Sequence, residues 1–515
     1  MADVAETVPE TVAVVIEGSV DVDSEAATRP WGPPMGMRRR APRKFAKISG
    51  DPRRVLTWAL VSGVGFDLAV RQSQPGVATA MWCVVLLLGV AALAGLRSRA
   101  AIVVLLAAAA FVPWFVLRSS PWLLIPDAMA FAALVAYAAD LAAGGPVRRS
   151  VGGLCRVAAS VAEATVESVR FVGRTTNSAA AGVANRRRVP WRGLGRALAI
   201  AAPVVAVLFV LLVSGDALFA SMFDGGSSVD LGHVVAFVVG AWLFGVVATM
   251  ATPPSRAPVV ERRHPLRGLD AAVLLGGVAT LFFVYACVQV SALLSGAQYV
   301  QDRTGLTYAQ YARSGFFQLM AAATISFVVL CLVRPTVQLA TVGARLLRWS
   351  VGTVVVLTQS LVVGSIIRIH LYSDVFGLTH LRLYTVVSAV WLGVVVLLAG
   401  VAAVRRGSGD WMAVTASALA ALAVLAMNVV NPDQLVASEN IGRVDTSAAR
   451  FDTPYLASLS DDAVPWIVEH LADVPDEDRA ELIDALCDRR GGGDGWLAWN
   501  RSASEADASL REVCG

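Results

Sequence analysis

The chain has 515 residues, of which 56% are hydrophobic and 16% are charged, with a mean hydropathy of +0.63. Soluble globular domains carry about 25% charged residues, so this composition excludes an ordinary soluble enzyme, and we expect no nucleic-acid partner. The net charge of +4 is the sum of separate basic and acidic blocks between apolar runs.

The first 54 residues are predicted to be a disordered cytoplasmic arm. Residues 1–30 are acidic and poor in large apolar side chains, and residues 31–54 contain eight Lys or Arg. The short apolar run 12–16 has acidic neighbours and no basic segment before it, so it does not resemble a signal peptide. We expect the first membrane helix to direct insertion.

Eleven apolar runs follow, and each is long enough to cross the roughly 30 Å hydrocarbon layer as a helix. The predicted fold is all-α, a polytopic bundle with a four-helix block (55–143) and a seven-helix block (197–430). The spans are predicted at 55–71, 77–95, 101–118, 121–143, 197–220, 231–252, 268–294, 315–333, 350–367, 383–404 and 411–430.

The loop charges predict the orientation. With the N-terminus in the cytoplasm, the inner segments hold 29 Lys and Arg and the outer loops hold six. An odd number of spans then sends the acidic tail, residues 431–515, out of the cytoplasm. This tail carries 18 acidic residues and seven Arg. Cys487 and Cys514 could form a disulfide there, or remain free thiols.

Residues 144–196 form a basic cytoplasmic linker between the two blocks. Apolar residues recur at roughly helical spacing over 150–174, and three arginines occupy 186–188. One interpretation is an amphipathic helix on the inner leaflet, with the arginines near anionic lipid headgroups. The alternative is a solvated linker.

Three segments on the predicted outer face are rich in polar residues: 305–317, 368–384 and 428–440. The first two share Gly-Leu-Thr, at 305–307 and 377–379, where Gly suits a turn and Thr suits a helix N-cap. We hypothesise a ligand-binding pocket there, because polar groups in membrane proteins are energetically costly unless they are paired, so a cluster of them carries information about function. Its candidate residues are Tyr308, Tyr311, Arg313, Arg368, His370, Asp374, Arg382, Asn431, Asp433 and Asp216.

Three aspartates, Asp67, Asp127 and Asp216, lie toward the outer ends of spans. We expect each to be a solvated carboxylate at the level of the lipid headgroups. The alternative is that a carboxylate pairs with Arg368, Arg382 or Arg313, or titrates as part of a proton path. Asp216 is the first to test.

Several of these segments resemble a known family. The segments 305–317, 372–384, 431–433, 285–289, 214–216 and 459–465 together are similar to bacterial membrane proteins with domain of unknown function 4173, and to its relative 4153. The resemblance covers about residues 55–470. It implies a multi-pass protein of the bacterial cell membrane without an established activity.

Motifs for catalysis are missing from the sequence. It has no Gly-x-Ser-x-Gly, no His-Glu-x-x-His and no phosphate-binding loop with Lys, and its five histidines are scattered. The linker 144–196 contains no His, so a histidine kinase is excluded. We expect no cofactor and no metal. Three hypotheses stand: an outward-facing ligand-binding protein for transport or envelope sensing, an envelope enzyme for a lipid-linked or glycan substrate that uses His370 and Asp374, and a scaffold that binds another envelope protein through its tail.

Overall fold

A computed structural model describes residues 52–94, 98–143, 271–287, 316–339, 343–405, 410–443, 451–489 and 495–514, with seven single positions between 233 and 244. Every regular element in these ranges is helical. All of them lie within one compact unit, Lys44–Gly515.

The first group of helices forms one apolar core around Phe111, Phe131 and Phe244. It comprises α1 (Pro52–Val70), α2 (Val77–Ala94), α3 (Arg99–Ala109), α4 (Trp114–Leu117) and α5 (Pro121–Ala142).

The second group builds a separate core of Leu, Val and Ala side chains. It comprises α6 (Ala271–Cys287), α7 (Phe316–Leu339), α8 (Ala344–Phe376) and α9 (His380–Val404). Helix α10 (Asp410–Val430) connects the two cores, because Met412 is buried in the second and Val424 and Leu425 pack on the first. We call α1–α10 the membrane block.

The tail is a compact set of short helices with its own core of Leu456, Leu459, Ile467, Leu482 and Leu486. Leu378, between α8 and α9, packs against this core. The tail helices are α11 (Pro432–Ile441), α12 (Thr453–Ala457), α13 (Val464–Glu469), α14 (Asp476–Cys487) and α15 (Arg501–Val513), with a 3₁₀ turn at Leu471–Asp473.

Six described helical stretches are long and apolar enough to cross a membrane: Arg99–Leu117, Pro121–Ala142, Leu319–Gln338, Ala344–Phe376, His380–Val404 and Trp411–Val430. They indicate an integral membrane protein. The predicted span 197–220 lies outside the described residues, as does most of 231–252. The number of eleven spans and their orientation remain predictions.

The prediction for the ninth span was too short. It was placed at 350–367, but α8 continues from Ala344 to Phe376 as one helix. Hydropathy marks only the apolar part of a helix, whereas the polar residues from Arg368 to Asp374 extend α8 without interruption. The segment 368–384 is therefore mostly helical, and its turn is confined to residues 377–379.

Candidate ligand-binding site

The break between α10 and α11 brings Asp433 to the contact between membrane block and tail, which we call the junction. Asn431 has φ 56°, a left-handed conformation that Asn tolerates better than most residues. Its side chain caps α11 by accepting the Gln434 N–H, and Pro432 begins the helix. The Asn-Pro-Asp sequence thus turns the chain sharply and places Asp433 in the first turn of α11.

The start of α9 brings His380 to the same place. Thr379 caps this helix, because its Oγ1 accepts a backbone N–H of the first turn at 3.5 Å. Gly377 has φ 78°, and a Cβ there would lie 2.5 Å from Oδ1 of Asn440. That oxygen accepts the Leu378 N–H at 2.8 Å. The prediction that Gly supplies the turn and Thr the N-cap is confirmed at 377–379.

His380, Asp433 and Tyr455 form a buried polar cluster. Nε2 of His380 lies 3.2 Å from Oδ2 of Asp433, and Nδ1 lies 3.3 Å from the Tyr455 hydroxyl oxygen. This hydroxyl accepts the backbone N–H of His380 at 3.1 Å, so its own proton is available to Nδ1. In the neutral ring the remaining proton then lies on Nε2, toward Asp433. The imidazole is thus held by the Tyr455 hydroxyl on one side and lies in electrostatic contact with the Asp433 carboxylate on the other.

The surroundings of Asp433 favour its ionised form. Burial acts to raise the pKa of its carboxyl, but contact with His380, the nearby Ser120 hydroxyl and a hydrogen bond from the Ser460 N–H hold that pKa below its usual value. The Ser460 bond to Oδ1 is 2.8 Å long. Tyr455 is shifted in the opposite direction, since burial raises the pKa of its hydroxyl.

A cavity of about 480 Å³ opens beside this cluster, and we call it the junction cavity. It lies between the starts of α5 and α9 and the tail segment 455–461. Trp122 forms one wall: its ring stacks on His380 at 5.5 Å and on Tyr384 at 5.7 Å, and 45% of the residue stays exposed. The other polar lining residues include Gln74, Ser119, Ser458, Ser460, Asp461 and Arg489. Its volume falls in the range of small-molecule sites.

An ion pair forms another part of the cavity lining. Arg489 Nη2 lies 3.0 Å from Oδ1 of Asp461, and its Nη1 donates to the carbonyl oxygens of Ala457 and Leu459. Burial raises the pKa of the Asp461 carboxyl; Arg489 opposes this shift, and the charge of Asp462 adds to it. The cavity thus contains a fixed cation beside two carboxylates.

Asp462 fastens the tail to the membrane block. Its Oδ2 accepts the N–H groups of Ser119 and Ser120 at 3.0 and 2.8 Å, at the start of α5. Oδ1 accepts the Ser502 hydroxyl at 2.6 Å and lies 3.6 Å from the Arg118 guanidinium. This buried carboxylate is paired and fully hydrogen-bonded, as buried charges must be. A smaller cavity of about 340 Å³ lies against Asp462 and Arg118.

Asp127 is not solvated, so the expectation for this residue was wrong. It is 0% exposed between α5 and α10, and its Oδ1 accepts a hydrogen bond from Asn428 Nδ2 at 2.7 Å. Helix packing removes it from water, which its position near a span end did not predict. Asp67 also departs from the expectation: its side chain is 14% exposed and pairs with Arg71 at 2.6 Å and with His233 at 3.3 Å.

The predicted charged residues of 368–384 do not meet in one cluster. Arg368 is buried and contacts the Tyr285 hydroxyl at 3.4 Å, whereas His370 is exposed. Asp374 is exposed and pairs with Arg443 at 3.6 Å. Arg382 donates to the carbonyl oxygens of Phe376 and Gly377 and lies over the Tyr372 ring.

The helical continuation of α8 explains this dispersal, because consecutive residues of a helix point in different directions. Arg382 and Arg443 complement the carbonyl end of α8. Of the predicted site residues, Asp433 lines the junction cavity and Asn431 positions it. Tyr308, Tyr311, Arg313 and Asp216 lie outside the described residues.

Sequence reasoning missed most of the cavity. His380 and Ser460 lay within segments noted for polar residues or for the family resemblance but were assigned no role, and Trp122, Tyr455 and Arg489 were not singled out. They come from positions up to 367 apart in the chain (Trp122 to Arg489), and no local pattern connects them. The one usable signal was the Gly-Leu-Thr-His start of α9.

Cys487 and Cys514 form a disulfide that joins α14 to the end of α15, with their Cα atoms 5.8 Å apart. In the described part of the chain, no three His, Cys, Asp or Glu side chains are grouped so as to hold a metal ion.

One comparison with known proteins identifies a family. The family described as Domain of unknown function (DUF4153) matches residues 100–470. The chain belongs to this family. The match supports the relative numbered 4153, and membership in 4173 is not shown. Neither the curated proteins nor the solved structures contain a match to the chain.

The DUF4153 region runs from the start of α3 to the end of α13. It therefore includes His380, Asp433, Tyr455 and Asp462, together with the buried Asp127. The disulfide and Arg489 lie beyond it. The polar cluster and most of the junction thus fall within the family domain.

Proposed function

We propose that the junction cavity is the ligand-binding site of a transport or sensing protein in the bacterial cell membrane. The observation that supports this most is a cavity of about 480 Å³ against the buried His380–Asp433 pair. Buried ionisable groups in contact with a cavity mark functional sites more often than structural ones.

We further propose that the chain has eleven spans, a cytoplasmic N-terminus and an extracytoplasmic tail, so that the cavity opens outside the cell. The basic inner loops support this orientation. The Cys487–Cys514 disulfide also supports it, because disulfides persist in oxidising compartments. The test is a Ser504→Cys variant, whose exposed tail position an impermeant maleimide labels in intact cells. A tail that reacts only after the cells are lysed contradicts the orientation.

The lining favours a polar ligand that is neutral or positively charged. Two carboxylates, Asp433 and Asp461, stand against one fixed cation, Arg489, so an anion would meet more repulsion than attraction. The exposed part of the Trp122 indole offers an apolar or cation–π surface. The many hydroxyls and Gln74 can exchange hydrogen bonds with a ligand of either kind.

Sensing or transport fits a ligand that contacts both the membrane block and the tail at the junction. Such a ligand touches the starts of α5 and α9 on one side and tail residues 455–461 on the other. If it binds one relative position of these elements more tightly, it shifts the equilibrium toward that position. A ligand bound wholly within either partner would not have this effect.

The experiment is to fill the cavity. Ser458 lines it and is exposed, so Ser458→Trp blocks the space without disturbing a buried contact. The control is Ser504→Trp, an exposed position of α15 outside both described cavities. Native mass spectrometry of protein extracted gently from membranes should show a bound small molecule in the wild type and the control, and none in Ser458→Trp. A molecule retained equally by all three contradicts the proposal.

An envelope enzyme is the second candidate, and the His380–Asp433 geometry is the observation that favours it. A histidine oriented by a carboxylate serves as a general base, and Nδ1 can exchange a proton through Tyr455. His380 and Asp433 are better suited than His370 and Asp374, because they line a cavity. His380→Gln should then retain a bound molecule of different mass from that in the wild type, the unconverted substrate. Identical masses favour binding without chemistry.

A further inference from the structure

Besides Ser120 Oγ, His380 Nε2 and Asp433 Oδ2 at the junction itself, three further buried polar atoms nearby have no hydrogen-bond partner among the described residues. They are Oδ2 of Asp127, Oδ1 of Asn428 and the hydroxyl oxygen of Tyr384. They come from α5, α10 and α9, three helices that converge below the cavity. Buried polar groups in native proteins are nearly always satisfied, so three unsatisfied atoms in one region call for a ligand.

The hydrogen bonds define which atoms are free. Asn428 Nδ2 donates both to Asp127 Oδ1 at 2.7 Å and to the Val424 carbonyl oxygen at 3.1 Å. Two acceptors identify this atom as the amide nitrogen, so the carbonyl oxygen of Asn428 is the unpartnered one. Asp127 thus receives one neutral hydrogen bond on Oδ1 and nothing on Oδ2.

The charges around Asp127 do not neutralise it. Arg118, just before α5, binds the Asn428 backbone carbonyl oxygen at 2.7 and 3.0 Å and lies beside Asp462, so its guanidinium already has partners. Tyr384 on α9 lies on the cavity side, and the cavity itself is lined by His380, Asp433, Tyr455, Asp461 and Arg489. A bare carboxylate without a cation is costly inside a membrane protein.

A proton fits this site better than a metal ion. A metal ion needs several oxygen ligands and space around it, and Asp127 lines neither of the two cavities described above. A proton on Oδ2 needs no space, and it leaves Oδ1 as the carbonyl oxygen that accepts from Asn428. The observed hydrogen bond already has this form.

Tyr384 connects the site to the junction cavity. It follows His380 by one helical turn on α9, so both residues face the same side. Its ring stacks on Trp122, which lines the cavity, and its hydroxyl oxygen is one of the unpartnered buried atoms, within range of the charges of Asp433 and Asp127. A phenol passes a proton without net change, because its oxygen receives one proton as it releases another.

We propose that Asp127 is a proton-binding site in the membrane block, and that it exchanges its proton with the junction cavity through the Tyr384 hydroxyl, directly or through water. This goes beyond the proposed ligand site, since it assigns a second ligand, the proton, at a second place. It holds whether or not the cavity binds a small molecule.

The first test uses infrared spectroscopy on the full chain in lipid nanodiscs. A protonated carboxylic acid has a C=O band above the amide bands, and this band should be lost in Asp127→Asn. The control Asp140→Asn, thirteen residues further along α5, should keep it. A band that is unchanged in Asp127→Asn overturns the proposal.

The path is tested by the rate at which this band shifts after transfer to D₂O. Tyr384→Phe should slow the exchange about a hundredfold, the usual contribution of a positioned proton carrier. Tyr372→Phe, which removes a phenol beside Arg382, should exchange like the wild type. Equal rates in all three proteins overturn the route through Tyr384.

A measurement on the wild type does not depend on whether variants fold. The hydrophobic reagent dicyclohexylcarbodiimide modifies protonated carboxyl groups within membranes. Peptide mapping should find the adduct on Asp127, with a yield that falls as the pH rises. An Asp127 peptide that stays unmodified from acidic to alkaline pH overturns the proposal.

Discussion

Two buried aspartates of the tail, Asp433 and Asp462, lie at the junction, and their carboxylates have different hydrogen-bond partners. Asp462 accepts from two backbone N–H groups and a serine hydroxyl and lies beside Arg118. Asp433 accepts one backbone N–H and faces an imidazole at a cavity wall. Both carboxylates border a cavity, but protein groups fill every acceptor position of Asp462. Asp433 keeps an unfilled acceptor atom, Oδ2, beside a titratable partner, so it is the one able to respond to a ligand.

The strongest test of this contrast is Asp462→Ala. It leaves the N–H groups at the start of α5 and the Arg118 guanidinium without their acceptor, and removing one partner of a buried ion pair costs about 3–5 kcal/mol. We expect the tail to detach, which limited proteolysis against denaturant concentration would show as early cleavage. Asp476→Ala, which changes a side chain 91% exposed, is the control. Equal resistance in the two variants would mean that Asp462 does not fasten the tail.

Gly377→Ala addresses the α8–α9 turn that carries His380 to the junction. The φ of 78° and ψ of 168° lie in a region that essentially only glycine adopts, so alanine there costs about 1–3 kcal/mol, and its Cβ would displace Asn440 from Leu378. We expect a loss of about 2 kcal/mol in total. The measurement is again limited proteolysis as a function of denaturant concentration, from which the free energy of unfolding is obtained.

The matched control is Gly352→Ala in the middle of α8, where a Cβ meets nothing within 4 Å. There alanine should stabilise the helix by up to about 1 kcal/mol. If both variants lose stability to the same extent, the turn has no special requirement for glycine.

Asp433→Asn should lower the free energy of unfolding at neutral pH and remove part of its pH dependence. The folded-state pKa of Asp433 is below its usual value. Its contribution is therefore complete above about pH 4, the unfolded value, and is lost as the pH falls through the folded value. The wild type should weaken in this acid range relative to the variant, in unfolding curves measured from neutral to acidic pH. Parallel curves would argue against an ionised Asp433.

Asp461→Asn should have the smallest effect and the opposite sign. Burial raises the pKa of this carboxyl, so its ionised form weakens the fold as the pH rises above the unfolded value. The side-chain amide of the variant should raise the free energy of unfolding slightly at neutral pH and leave it unchanged in acid. A loss at neutral pH would show that the ion pair with Arg489 outweighs burial.

The sequence predicted the apolar parts of the fold well. Helices α5, α9 and α10 coincide within a few residues with the runs at 121–143, 383–404 and 411–430, because hydropathy reports the stretch that lipid surrounds. The tail was harder to predict, because its residues 453–473 are divided into α12, α13 and a 3₁₀ turn. The turn between α12 and α13 supplies the Ser460 N–H to Asp433, and that long-range contact has no local signal.

The candidate site was predicted only where a local motif creates it. Asn431 and Asp433 were recognisable because Asn-Pro-Asp combines a backbone break, a helix start and a charge in three residues. The polar residues from Arg368 to Arg382 attracted attention as a group, but the helix distributes them around its circumference. Asp127 was judged from its place in one span, whereas its environment is decided by Asn428, 301 residues away.

The backbone contacts of the tail have a consequence for biogenesis. Trp499 and Leu497 accept the first N–H groups of α2, Asp462 accepts those before α5, and Tyr455 accepts the first of α9. Three helices that are synthesised before the tail thus obtain acceptors for their leading amides only when residues 455–499 emerge from the ribosome. A ribosome that stops before the tail leaves an inserted but incomplete bundle with exposed helix ends. Quality-control proteases could distinguish such a product from the finished protein.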